Sequence, residues 1–154
     1  MNNYCLTDNE KFHELVNVSN RINHLKDIDS LLDHILYEAR RFSSSEAGSI
    51  FICDGNKLRF AYIQNDVLKK KDTAYKNYLY SNLKIPVDET SIAGYVAANK
   101  KILVIDDVYD LSASVPYKFN KSFDEKSSYR TTSVMTVPLM TNQNQIVGAL
   151  QIIN

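Results

Sequence analysis

The sequence predicts an antiparallel sheet with helices packed against it, an α/β domain of the α+β type. Three observations carry that reading. Apolar residues recur at helical spacing as far as Phe42. Two strand-like runs then flank the turn signal Asp54-Gly55-Asn56, and two more flank Asn142-Gln143-Asn144. Between these hairpins the chain reads as crossings with short helices. The chain has 154 residues, the size of one core.

The elements follow in order. Thr7 and Glu10 have capping-box spacing, and Leu15, Val18, Ile22 and Leu25 recur at intervals of three and four. The stripe is narrow, so this helix either lies across a domain or pairs with a copy of itself. Residues 1–26 are therefore expected to form an N-terminal helix apart from a domain over 27–154, and a homodimer is expected. Asp27 or Asp29 can cap a second helix, with Ile28, Leu31, Leu32, Ile35, Leu36, Ala39 and Phe42 on a broad apolar face and Ser43 to Ser45 ending it. Leu32, Ile35, Leu36 and Ala39 are expected to meet the sheet.

Residues 49–53 read as a strand, and Leu58, Phe60 and Tyr62 then alternate with Arg59, Ala61 and Ile63. Lys69, Lys70 and Lys71 mark an exposed connection, and Tyr75, Tyr78 and Leu79 a short helix or ordered loop. Residues 83–87 form the next strand. Thr90 or Ser91 can cap a helix carrying Ile92, Ala93, Val96 and Ala97, with Asn99 ending it in a left-handed conformation. Residues 102–105 read as a buried strand, 106–132 as a long polar and aromatic stretch, and 133–139 and 145–153 as the closing hairpin. Pro138 has no N–H, so it must face an edge or a bulge.

Composition removes several functional classes. Lys plus Arg equals Asp plus Glu at 18 each, and no basic patch interleaves with aromatics, so no nucleic acid is expected as partner. Lys69 to Lys71, with Lys76, read as a solvated loop. No apolar run approaches the length of a transmembrane helix, and Met1 to Glu10 lacks a secretory pattern, so no membrane insertion is expected. Cys5 and Cys53 make no disulfide framework, which fits a cytoplasmic setting. His13, His24 and His34 have no ligand-pair spacing, and nucleotide-loop, zincin and nucleophile-elbow motifs are absent. Gly48, Gly55, Gly94 and Gly148 are scattered and read as turns or close-packed backbone. Asp106, Asp107 and Asp110 are the best carboxylate cluster, read first as shaping a strand exit and second as a ligand contact. No catalytic residue, metal or cofactor is expected.

A pocket is nevertheless permitted. A helix starting at Ser91 leaves amides near Ile92 and Ala93 for a phosphate or carboxylate. The 106–132 segment can lie over the sheet as a lid, with Tyr109, Tyr117, Phe119, Phe123 and Tyr129 as flat apolar surface and Asp107, Asn120 and Thr132 as polar selectors. The same segment can instead pack its own aromatics into an empty site.

The stretch Ser91-Ile92-Ala93-Gly94-Tyr95-Val96-Ala97 resembles the S-I-A-G-x-V-A helix of GAF domains. Residues 102–106, I-L-V-I-D, are similar to the strand and aspartate that follow it. Residues 123–135 resemble the family's F-D-x-x-T-G-Y-R-T-x-S-V-L stretch, and V-P-L at 137–139 with I-V-G-A-L-Q-I-I-N at 146–154 completes the likeness. It covers about residues 28–154. It implies a six-stranded antiparallel sheet flanked by helices. It also implies a regulatory sensor module covalently attached to an output domain, as in cyclic-nucleotide phosphodiesterases, cyclases, histidine kinases or transcription activators. The block at Tyr129 to Met135 is most similar to the phosphodiesterase and cyclase subset, which implies a cyclic nucleotide or another metabolite as ligand. The family's N-K…F-x-x-x-D-E motif would begin at Asn154, so the resemblance implies a fragment without the C-terminal helix. Ser128 stands where the family has glycine, which implies another turn geometry there. With no cysteine after Cys53, bilin attachment and methionine sulfoxide reduction are not expected.

Overall fold

The computed structural model describes residues 7–23, 27–70 and 83–154. Expectations on Cys5, His24, Leu25, Lys71, Tyr75, Lys76, Tyr78 and Leu79 lie outside these residues. Helix α1 spans Asp8–Asn23 and α2 Ile28–Ser43; β1 (Ala47–Asp54) and β2 (Lys57–Asn65) make the first hairpin; α3 (Asp66–Lys69) and β3 (Lys84–Pro86) follow. Then come α4 (Ile92–Asn99), β4 (Leu103–Ile105), α5 (Ser122–Ser127) and the closing hairpin of β5 (Val134–Met140) and β6 (Ile146–Ile153). The strands form one six-stranded sheet in the order β3-β2-β1-β6-β5-β4, every neighbouring pair antiparallel.

The helix ends follow local chemistry. The Thr7–Glu10 capping box closes, with the Thr7 amide donating to Glu10 Oε2 at 2.8 Å and the Glu10 amide donating to Thr7 Oγ1 at 3.3 Å. Asp27 caps α2 by accepting from the amides of Asp29 and Ser30, and Ser44 ends it in the left-handed region at φ 56°. Lys100, not Asn99, takes the left-handed position after α4, at φ 54°. Asn99 stays helical, and its side-chain amide donates to the Tyr95 carbonyl at 3.0 Å.

Helix α2 covers one face of the sheet. Leu36 is fully buried among Ile50, Leu150 and Ile152, with Leu32, Ile35 and Ala39 packed around it. The apolar face is narrower than expected, because Ile28 and Phe42 at the two ends are exposed. Arg41 ties α1 to α2, reaching Glu14 at 2.5 Å and Glu38 at 2.8 Å. On α1, Val18 is buried, while Phe12, Leu15 and Val16 are exposed.

Helix α4 covers the opposite face, where Ala93 and Ala97 pack on Phe51, Leu58 and Ala149. Gly94 makes this approach possible: a Cβ there would stand 2.3 Å from the Pro86 carbonyl oxygen and 2.8 Å from that of Asp88. A register shift at Ile50/Phe51 pairs Tyr62 with Ile50 and Phe60 with Phe51, leaving Ala61 without a partner in the ladder. That bulge corrects the simple alternation. Leu58 and Phe60 join the α4 side, whereas Tyr62 and Gln64 bond to Asp29 and Asp33 of α2.

Residues 102–105 are not a buried strand. Strand β4 is the sheet edge, and Ile102 and Val104 are exposed while Ile105 is buried. It ends opposite Thr136, so β5 has only β6 beside it at Pro138 and no ladder bond is lost.

Candidate functional site

Between the α4 face of the sheet and the 106–132 segment lies a cavity of about 140 Å³, open to solvent. Ser49 and Phe51 of β1, Phe60 of β2 and Gln151 of β6 form its floor; Ser91, Ile92 and Ala93 line one side. The other side is built from Lys118, Phe119, Asn120, Phe123, Asp124, Tyr129 and Thr131. The rings of Phe51 and Phe60 are 4.5 Å apart, and Phe123 lies 6.4 Å from Phe60.

The start of α4 is set by Ser91, whose Oγ accepts from the Gly94 amide at 3.0 Å and whose carbonyl accepts from Tyr95 at 2.9 Å. The first-turn amides of Ile92 and Ala93 have no acceptor within the helix, and the helix dipole favours negative charge there. On the floor, Ser49 is paired with Gln151 across β1 and β6 and is only 7% exposed. The Ser49 hydroxyl has no hydrogen-bond partner among the described residues. The Gln151 side-chain amide donates to Thr136 Oγ1 at 2.9 Å, which orients its carbonyl oxygen as an acceptor.

The lid holds itself together through Asp124. Its Oδ2 accepts from the Tyr109 hydroxyl at 2.8 Å and the Thr131 amide at 2.7 Å, and its Oδ1 accepts from the Thr131 hydroxyl at 2.8 Å. Arg130 and Lys121 stand 4.1 Å and 4.9 Å from the centre of the Tyr109 ring. The hydrogen bond to Asp124 raises the Tyr109 phenol above its ordinary pKa. Tyr129, which is buried, donates to Glu46 Oε2 at 3.2 Å and accepts from Asn154 Nδ2 at 2.9 Å. Burial first, then the Glu46 charge, pushes its ionisation well up. Asn154 also bonds the Arg130 carbonyl and the Thr132 amide, sewing the lid to the end of β6.

Of the residues expected at the site, Ser91, Ile92, Ala93, Phe119, Asn120 and Tyr129 line the cavity. Asp107, Tyr117 and Thr132 do not. Asp107 accepts from the Tyr109 amide at 2.8 Å and shapes the exit from β4. Tyr117 packs on Tyr95 with ring centres 4.9 Å apart, beside the Ile92, Ile105 and Val108 cluster. Thr132 is exposed, and its carbonyl accepts from Val108 at 2.9 Å; Thr131 faces the cavity in its place. Ser49, Gln151, Lys118, Asp124 and Thr131 were not expected. Strand alternation around Phe51 was the signal for Ser49, since residues two apart share a face.

Ser128 takes φ 52°, so this turn keeps the left-handed geometry that glycine favours and does not adopt another. Cys53 is half-buried, and burial pushes its thiol above the usual range. Among the described residues, no group of His, Cys, Asp and Glu is placed to hold a metal, and no helix is long and apolar enough to cross a membrane.

A GAF domain profile matches residues 27–154. This chain belongs to the GAF domain family. GAF domains are generally regulatory and sensory modules rather than catalysts, and they occur fused to catalytic output domains. The cGMP-specific 3',5'-cyclic phosphodiesterase of Drosophila virilis is 31% identical over 157 residues, which cover 97% of this chain and 16% of that protein. The chain thus spans only a small part of that relative. The GAF domain of an Acinetobacter phosphoenolpyruvate-protein phosphotransferase matches with a TM-score of 0.71 at 13% identity, covering 96% of this chain and 78% of that one. A free methionine-R-sulfoxide reductase from Neisseria meningitidis, solved with its substrate, matches with a TM-score of 0.69 at 14% identity, covering 100% and 80%. At these identities the two structures establish the GAF fold.

Proposed function

We propose that this GAF domain senses a small planar ligand with an anionic end, bound between the sheet and the 106–132 lid, and that a cyclic nucleotide is the leading candidate. The observation that carries the reading is the convergence of unlike groups on one cavity. Aromatic rings Phe51, Phe60, Phe119 and Phe123 offer stacking surface, Ser49 and Gln151 offer a polar edge on the floor, and α4 offers amides at Ile92 and Ala93. A planar base fits the first two and a phosphate the third. The 31% identity to a cGMP-specific phosphodiesterase supports the same ligand class.

In this reading residues 27–154 form the sensor in the cytoplasm, and residues 1–26 the helix that couples it to an output domain. Binding orders the lid and, through the Tyr129–Asn154–Glu46 bonds, moves the junction of α2 with β1. Calorimetric titration with cyclic GMP, cyclic AMP and a metabolite panel tests it. Saturable cyclic-nucleotide binding, weakened by Phe60→Ala in a folded protein, is the expected result. Binding of a different metabolite keeps the sensor and removes the cyclic nucleotide.

A second reading has its own observation. Phe12, Leu15 and Val16 leave an exposed apolar stripe on α1, suited to a homodimer that couples signals without a ligand. Sedimentation of a Phe12→Ser/Leu15→Ser variant separates the two. A dimer that dissociates while no ligand binds the parent protein favours this second reading.

A further inference from the structure

We propose that Lys118 is a specificity-determining residue, selecting an anionic ligand at the mouth of the cavity. The inference rests on the cavity being a ligand site for an anion and adds the side chain that selects the charge. Among the residues that line it, Lys118 and Asp124 carry formal charge. Asp124 is committed: it is 8% exposed, and its two oxygens already take three donors from Tyr109 and Thr131. That fills three of about four acceptor positions on a buried carboxylate, so a cationic ligand meets little open acceptor there. Lys121 and Arg130, the lid's neighbouring cations, are held over the Tyr109 ring. Lys118 makes no ion pair among the described residues.

Donors also stand at the α4 side and on the floor of the cavity. The amides of Ile92 and Ala93 at the start of α4 have no acceptor within the helix. The hydroxyl of Ser49, 7% exposed and unpartnered among the described residues, adds a donor on the floor. A phosphate or carboxylate thus meets donors at α4 and an exposed counter-charge at the rim, whereas an amine meets like charge at Lys118.

The test uses the whole chain, with Lys118→Gln and Lys118→Arg variants. Inorganic phosphate is titrated while the amide NMR signals of Ile92 and Ala93 are followed. Cyclic GMP and uncharged guanosine are titrated by calorimetry. Lys118→Gln should weaken phosphate and cyclic GMP about fivefold, the range of an exposed ion pair, and leave guanosine unchanged. Lys118→Arg should restore both anions, and added salt should shrink the difference. Phosphate binding that Lys118→Gln weakens, without cyclic GMP binding, removes the cyclic nucleotide and supports Lys118; phosphate binding equal in both proteins overturns Lys118. Cyclic GMP binding equally to the wild type and Lys118→Gln overturns Lys118 alone. Equal losses for cyclic GMP and guanosine, or no anion binding at all, also overturn it.

Discussion

Replacing Asp124 separates the lid's hydrogen bonding from its packing. The carboxylate accepts from the Thr131 amide at 2.7 Å and the Thr131 hydroxyl at 2.8 Å, and both residues are buried, at 8% and 5% exposure. In Asp124→Ala the Thr131 amide loses its acceptor where water reaches poorly. Hydrogen bonds to a charged group contribute about 1.5–3 kcal/mol each, so the two buried bonds predict a loss of about 3–6 kcal/mol. The Tyr109 bond, nearer solvent, is left out of that sum. Asp124→Asn behaves differently. Its amide oxygen can keep the Tyr109 hydroxyl and the Thr131 amide, and its NH₂ can donate to the Thr131 hydroxyl, which turns round to accept. Only the charge assistance goes, at about 1 kcal/mol. Urea unfolding of the three proteins checks the ranking, and hydrogen exchange at Thr131 checks its origin. An alanine variant within about 0.5 kcal/mol of the wild type would refute the reasoning.

Three further outcomes follow from the packing and the backbone. Leu36→Ala, at a fully buried position under the sheet, should lose about 2–5 kcal/mol in urea unfolding, while Ile28→Ala, at 68% exposure, should lose almost nothing. Ser128→Gly should stabilise by about 0.5–1 kcal/mol, because φ 52° strains serine more than it restricts glycine. The hydrogen bond to Asp29 pushes the Tyr62 phenol up to about 12, so ultraviolet titration should show Tyr62 among the late tyrosines with Tyr109 and Tyr129, and Asp29→Ala should remove Tyr62 alone from that group. The folded pKa is the raised one. This contribution to stability is therefore whole below about pH 10 and is lost as pH rises through 12.

Legibility in the sequence tracked how local each signal was. Capping at Thr7, Asp27 and Ser91 depends on neighbours three residues away, and all three formed. The turn at Gly55 and the α2 contacts of Leu36 were legible for the same reason. The α4 side of the pocket could be expected because a helix start announces itself. The lid could not be assigned residue by residue, because it has no period. Tyr117 left for Tyr95 while Phe119 entered the cavity, a choice made by packing across many residues. On the floor, Ser49 was signalled by alternation with Phe51, whereas the bulge at Ile50/Phe51, which turned Tyr62 to the opposite face from Phe60, carried no local signal. Strand β4 was misread because Ile102 and Val104 are apolar, yet position at the sheet edge leaves them exposed.

Mapping amide NMR shifts while cyclic GMP is added tests the central claim most directly. A ligand between sheet and lid should move one contiguous set, Ser49, Phe60, Ile92, Ala93, Phe119 and Thr131, and leave the exposed β4 edge at Val104 still. Shifts confined to α1 or the β4 edge, or no shifts at all with cyclic GMP or any member of the metabolite panel, would contradict a sensing pocket on this face.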